Sequence, residues 1–216
     1  FLDQLARAVG LPEAFMTDGG DGGGGVIQGS ASEGTLVAVL AARTKALKHM
    51  RCESPGVGDS ELLGKMTLYA SDQVRKSAGA AVVFWHPGYS TNHSLKPCVS
   101  LQPIATDITT STNSNETHSP PRSKRQAHSS IQKAANIAGL GSKLRLIPTR
   151  HDAQREQQCY AVDAADLSEA MREDLQAGLT PMFVSANVGS TNTCAVDPVR
   201  ALGEACRRCA CLKVCR

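Results

Sequence analysis

Few aromatic side chains, little net charge and no long apolar run mark this chain. Aromatics make up 4% of 216 residues, with one tryptophan, a low content for a self-contained fold of this size. The formal net charge is +3. That is too mild to argue for a nucleic-acid or anionic-membrane partner, so neither is expected. The longest apolar run, Leu36 to Ala42, stops at Arg43. A bilayer span needs roughly 20 such residues, so no membrane helix is expected. The chain does not open on a charged, apolar and small-residue leader, so a cytoplasmic location is expected. It starts at Phe1 rather than Met, which reads as a missing natural N-terminus. There is no Gly-Lys-Ser/Thr phosphate loop and no strand–GxGxxG–helix unit, which excludes two common nucleotide-binding readings. Against these lacks, hydrophobic residues are 41% and charged residues 20%, enough to bury a core. The length suits one large domain or two small ones.

Eight cysteines are present. Cys52, Cys98, Cys159 and Cys194 are scattered, whereas Cys206, Cys209, Cys211 and Cys215 crowd the end. Closely spaced thiolates can share a zinc ion, but this C-x2-C-x-C-x3-C spacing is irregular and no second knuckle precedes it. No metal is expected.

Strands alternate with helices along most of the chain. Leu2–Phe15 reads as a short amphipathic helix restarted at Pro12, followed by the glycine loop 19–25. A helix with Leu36, Val37, Val39, Leu40 and Leu47 at helical spacing follows. Ser30 or Ser32 is its N-cap and Glu33 lies in its first turn. Strands are predicted at Met66–Ala70, Leu144–Ile147 and Met182–Ala186. Helices are predicted at His128–Ala138, Ala165–Ala177 (closed by Gly178) and Pro198–Arg208. That order predicts parallel β-α-β units and an α/β fold.

Val74–Gln126 breaks the rhythm. These 53 residues hold five of the ten prolines, 14 Ser or Thr and only two acids, Asp107 and Glu116. A stretch of this kind cannot bury enough apolar surface to order itself, so a disordered insertion is expected. Val74-Arg75-Lys76 can be encoded like an intron donor and Gln126 like an acceptor, which makes a translated intron one reading and a genuine surface insertion the other. In the second, Arg122-Ser123-Lys124-Arg125 resembles a processing site, and Asn92 and Asn115 resemble glycan acceptors; both are read as chance matches.

Three stretches carry chemistry. Glycines followed by Gly29-Ser30-Ala31-Ser32 at a helix start expose amide groups where the helix dipole favours a phosphate; an ordinary capped helix has the same pattern. Tyr69-Ala70-Ser71-Asp72-Gln73 is interrupted by the insertion and resumes at Ala127-His128-Ser129-Ser130. Val188-Gly189-Ser190-Thr191-Asn192-Thr193 follows a strand, with Asp197 beyond it. Together with Leu11-Pro12-Glu13-Ala14-Phe15 and Gly178-Leu179-Thr180-Pro181-Met182-Phe183-Val184, these resemble the pyridoxal-phosphate-dependent (group II) amino-acid decarboxylases of the aromatic-L-amino-acid, tyrosine and histidine decarboxylase group. The resemblance covers the chain outside the insertion.

The resemblance implies part of a fold-type-I large domain. Residues 1–73 are its first part, 74–126 the insertion, 127–208 its continuation and 209–216 a tail foreign to the family. It implies pyridoxal 5'-phosphate as cofactor and an aromatic L-amino acid as substrate, decarboxylated to the amine, with a homodimer as the assembly. Ala31 and Ser32 would meet the cofactor phosphate. His128 would stack on its ring near the substrate carboxylate, Thr191 would help order the cofactor, and Asp197 matches an acid of the family's loop. A flat aromatic cofactor needs such an anion cradle at one end and a planar group over its face. The family's covalent-anchor lysine and ring-nitrogen acid belong to stretches with no counterpart among these 216 residues, so the fragment is expected to be inactive. The alternatives are a non-catalytic remnant and a phosphate-ligand binding module.

Overall fold

The computed structural model describes residues 1–11, 13–18, 23–72, 81–84, 98–100, 129–150, 160–189 and 195–214. Six helices and seven strands are assigned among them. The helices are α1 (Leu2–Ala8), α2 (Ala31–Glu53), α3 (Asp59–Gly64), α4 (Ser129–Ile137), α5 (Ala164–Gln176) and α6 (Val199–Val214). The strands are β1 (Met66–Ser71), β2 (Ala81–Phe84), β3 (Cys98–Ser100), β4 (Leu144–Ile147), β5 (Thr149–Arg150), β6 (Ala161–Val162) and β7 (Thr180–Ala186).

The main sheet has the order β3-β2-β7-β1-β4, and β5 and β6 form a separate antiparallel pair. β1 runs parallel to both neighbours, with Leu68 opposite Leu144 on β4 and Phe183 on β7. Parallel strands need both faces covered, and β1 and β7 are buried at every position. Side chains alternate across β1. Met66, Leu68 and Ala70 enter a core shared with α2, α3 and α4, while Tyr69 enters a second core shared with α5 and α6. The result is an α/β sandwich, as the alternation of elements predicts.

α2 is long and built for close packing. Ser30 caps it in an extended conformation, its Oγ accepting the Glu33 amide at 3.2 Å. Its buried stripe runs Ala38, Val39, Ala42, Ala46 and Met50, and the small side chains let it lie against Ala134, Ala135 and Ala138 of the α4 region. Arg43 donates to the Ala138 carbonyl at 2.7 Å and so satisfies the last turn of α4. Gly178, at φ +76°, ends α5 in the left-handed conformation that glycine adopts without steric cost.

The elements depart from the sequence reading in five places, one of them the short antiparallel pair β5–β6, which that reading does not contain. The first helix stops at Ala8, and a separate 3-10 turn spans Glu13–Phe15. α3 is an additional helix of six residues. Within 74–126, Ala81–Phe84 and Cys98–Ser100 form strands; β2 pairs antiparallel with β7 and β3 with β2. Ala-Val-Val-Phe is apolar and β-branched enough to pair on the open side of β7. The rest of the insertion lies outside the described residues. Finally, α6 passes position 209 without a break and reaches Val214.

Candidate functional site at the carboxyl ends of the strands

Connectivity decides which end of the sheet carries the helix starts. α2 leads through α3 directly into the first residue of β1, so its C-terminus lies at the amino ends of the strands and its N-terminus at the carboxyl ends. α4 leads into β4 in the same way, which puts Ser129 at the carboxyl ends too. Ligands of open parallel sheets bind outside those ends.

At the start of α2, Gly29 has no side chain, and Ala31 and Ser32 are exposed. Ser30 accepts the Glu33 amide through its Oγ and the Gly34 amide through its carbonyl. The amides of Ala31 and Ser32 make no hydrogen bond among the described residues. The Glu33 carboxylate lies against Gly29, where a Cβ would come within 3.0 Å of Oε2. Two backbone donors on small residues, at the positive end of a 23-residue helix and without a partner among the described residues, fit a phosphate group.

Below this start, a polar seam joins the strand ends. The buried Asn187 side chain, just past β7, donates from Nδ2 to Ser71 Oγ at 2.7 Å, and so joins β7 to β1. Asp72 accepts both the amide and the hydroxyl of Thr149, at 3.0 and 2.6 Å, and joins β1 to β5. Asp197 is buried and accepts two backbone amides, Val162 at 2.9 Å and Asn187 at 2.6 Å. Burial pushes the Asp197 carboxyl above its ordinary range, against the pull of those two amides. The loop between Asn187 and Asp197 is closed at its base: the Asp197 amide donates to the Asn187 carbonyl, Gly189 donates to Ala195, and Val188 bridges Val196. Gly189 turns the chain there at φ +78°.

Of the residues named from the sequence, the structure places Ala31 and Ser32 at an exposed helix start and Asp197 at the base of a loop. His128 and Thr191 lie outside the described residues, as does Cys215. Asp197 spends its carboxylate on backbone amides, which makes it a clamp on the loop. Cys206 and Cys209 are buried in the α5–α6 core, and burial pushes the Cys206 thiol up to about 12. No cluster of metal-ligating side chains occurs among the described residues. Sequence reasoning missed Ser71 and Asn187 as partners. Their only signal was position, since each sits at the carboxyl end of a parallel strand.

A second buried polar cluster lies toward the amino ends. Tyr69 donates to Asp174 at 2.6 Å and shares a 3.0 Å hydrogen bond with Thr67. Arg145 donates to Asp174 at 2.7 Å, to the Ala170 carbonyl and to Glu173. Burial first, then the Asp174 carboxylate, pushes the Tyr69 phenol well above its ordinary value.

The family model described as the pyridoxal-dependent decarboxylase conserved domain matches residues 1–87 and 122–212. The chain belongs to the pyridoxal-dependent decarboxylase family. It is 32% identical over 207 residues to aromatic-L-amino-acid decarboxylase of Cavia porcellus, covering 96% of this chain and 30% of that protein. It is 34% identical over 203 residues to phenylacetaldehyde synthase of Arabidopsis thaliana, covering 94% and 28%. Among solved structures, Oryza sativa TDC with PLP and tryptamine matches at a TM-score of 0.57 and 33% identity, covering 95% of this chain and 29% of that one. The chain thus spans under a third of the length of these decarboxylase-family relatives. The family match omits residues 88–121, inside the insertion, and continues to 212 along α6. In this family setting the exposed start of α2 faces the same end of the sheet as the seam.

Proposed function

We propose that these residues form the part of a pyridoxal-phosphate-dependent decarboxylase that holds the cofactor's phosphate and ring, for an aromatic L-amino acid as substrate. The amides of Ala31 and Ser32, without a partner among the described residues, at the carboxyl ends of a parallel sheet in a chain of this family, carry the reading. Those two amides bind the phosphate, and the α2 dipole adds to the attraction. By the family resemblance, His128 would cover the ring face and Thr191 would help order the cofactor. Asp197 acts as a positioning residue that holds the loop base. Bound pyridoxal phosphate supplies the electron sink that makes loss of carbon dioxide from an amino acid feasible. A homodimer and a cytoplasmic location belong to the same reading.

No lysine of the 216 residues stands in the context of the family's covalent anchor. Expressed alone, these residues are expected to bind the cofactor reversibly, leave its aldehyde spectrum that of the free compound and release no carbon dioxide. Equilibrium dialysis of the purified chain against pyridoxal phosphate, with inorganic phosphate as competitor, tests this. Ser32→Asp keeps the helix start favourable while putting a carboxylate where the phosphate would sit, and is expected to weaken binding at least ~10-fold, about 1.4 kcal/mol. Absence of saturable, phosphate-competed binding would sink the cofactor reading. Carbon dioxide release above background would sink the claim of inactivity.

A further inference from the structure

We infer that Asn187 is a positioning residue for cofactor binding: its side chain fixes the base of the 187–197 loop to the end of β1. The inference rests on the reading under Proposed function. Most bonds at the loop base are internal to the loop. The Asp197 amide to the Asn187 carbonyl (2.8 Å), the Asn187 amide to Asp197 Oδ2 (2.6 Å) and the Gly189 amide to the Ala195 carbonyl (2.9 Å) close that base. β7 leads straight into Asn187 and seats this base at the sheet's end. Among the described residues, two side-chain bonds of Asn187 and Asp197 add to that seat. Asp197 Oδ1 takes the Val162 amide at 2.9 Å on the β6 side, and Asn187 Nδ2 donates to Ser71 Oγ at 2.7 Å on the β1 side.

The second tether joins residues 116 positions apart, and both are buried. β1 leaves the sheet at Ser71, and the cofactor is read as lying just beyond these strand ends. The β1–β7 ladder ends at the Ala70–Ser185 pair, and beyond it the amide–hydroxyl bond is what ties the exit of β1 to the loop base among the described residues. Hydrogen bonds weaken steeply with misalignment, so sub-ångström drift of the base is felt by whatever the loop orders. The phosphate donors at Ala31 and Ser32 sit on α2 and do not depend on this tether.

The test uses the whole 216-residue chain as Ser71→Ala, Asn187→Ala, the double alanine variant, and an exchanged pair, Ser71→Asn with Asn187→Ser, which restores an amide–hydroxyl bond. Measurements are affinity for pyridoxal phosphate, affinity for inorganic phosphate, and hydrogen exchange at the Gly189 and Asp197 amides. Each single alanine variant is expected to bind pyridoxal phosphate about 10-fold more weakly and exchange faster at both amides, within the range one buried hydrogen bond supports. Inorganic phosphate affinity stays within about twofold, the double variant is no worse than either single one, and the exchanged pair recovers most of the loss. Unchanged exchange and affinity in the single variants overturns the inference. So do additive losses, equal loss of both ligands, or no recovery in the exchanged pair. If the unaltered chain binds neither ligand, the reading under Proposed function fails, and hydrogen exchange still decides whether Asn187 positions the loop.

Discussion

The sheet carries a polar cluster with a buried centre toward each end, and the two are wired differently. Toward the amino ends, Tyr69, Thr67, Asp174, Arg145 and Glu173 bond chiefly to one another, and a guanidinium compensates the carboxylates. That cluster fastens α5 to β1 and β4. At the carboxyl ends, Asp72 and Asp197 take mostly backbone amides, and Ser71 and Asn187 bridge strand ends. There the bonds hold loops in place. A closed side-chain cluster stabilises the fold whatever the protein does; a cluster that aims backbone is what a ligand site needs beneath it.

Breaking the first cluster tests the contrast most strongly. Asp174→Ala leaves the buried Tyr69 hydroxyl with Thr67 and strips Arg145 of its buried carboxylate partner. About 2–3 kcal/mol of stability is expected to go, discounted because Arg145 is partly exposed. Urea unfolding measures it. Inorganic phosphate affinity per folded molecule is expected to be unchanged; a loss there would mean that the two ends are coupled.

Asp197→Asn is the matching change at the carboxyl ends. An amide accepts at one atom only, so its Nδ2 faces a backbone donor, at a cost of about 2 kcal/mol. Here pyridoxal phosphate affinity is expected to fall along with stability. The pH dependence has a definite sign. Burial raises the Asp197 carboxyl above its ordinary 3.8, so the folded chain binds that proton more tightly than the unfolded chain. Its contribution is greatest below 3.8 and declines as pH rises through the folded value. The advantage of Asp197 over the Asn variant is thus expected to narrow from acidic to neutral pH in urea titrations; a widening gap would refute the burial argument.

The same contrast explains what could be read in advance. α2, α4, α5 and the three parallel strands announce themselves by apolar spacing, caps and the glycine at 178. α6 runs past Arg208 because Leu202, Cys206 and Cys209 continue one apolar stripe, which is legible only when cysteine is counted as a small hydrophobe rather than a ligand. α3 is too short for periodicity to show, and the strands of 81–84 and 98–100 sit in a Ser/Thr- and Pro-rich stretch that masks them. The Ser71–Asn187 bond had no local signature. Its partners are polar residues 116 positions apart, and only the parallel pairing of β1 with β7 brings them together.

Ser30 offers the smallest and sharpest test of the carboxyl ends. Its hydroxyl accepts the Glu33 amide, so Ser30→Ala is expected to cost about 1 kcal/mol, a shift visible in thermal unfolding. Unlike the loss of Asp174, this loss releases a donor at the place where phosphate would bind. Inorganic phosphate affinity is therefore expected to hold steady or rise while stability falls, because the bound anion itself can take over the freed amide. Protection against melting by added phosphate should then be at least as large in the variant as in the unaltered chain. A parallel fall in stability and phosphate affinity would mean that Ser30 shapes the anion cradle directly, and that the start of α2 is not the independent half of the site argued above.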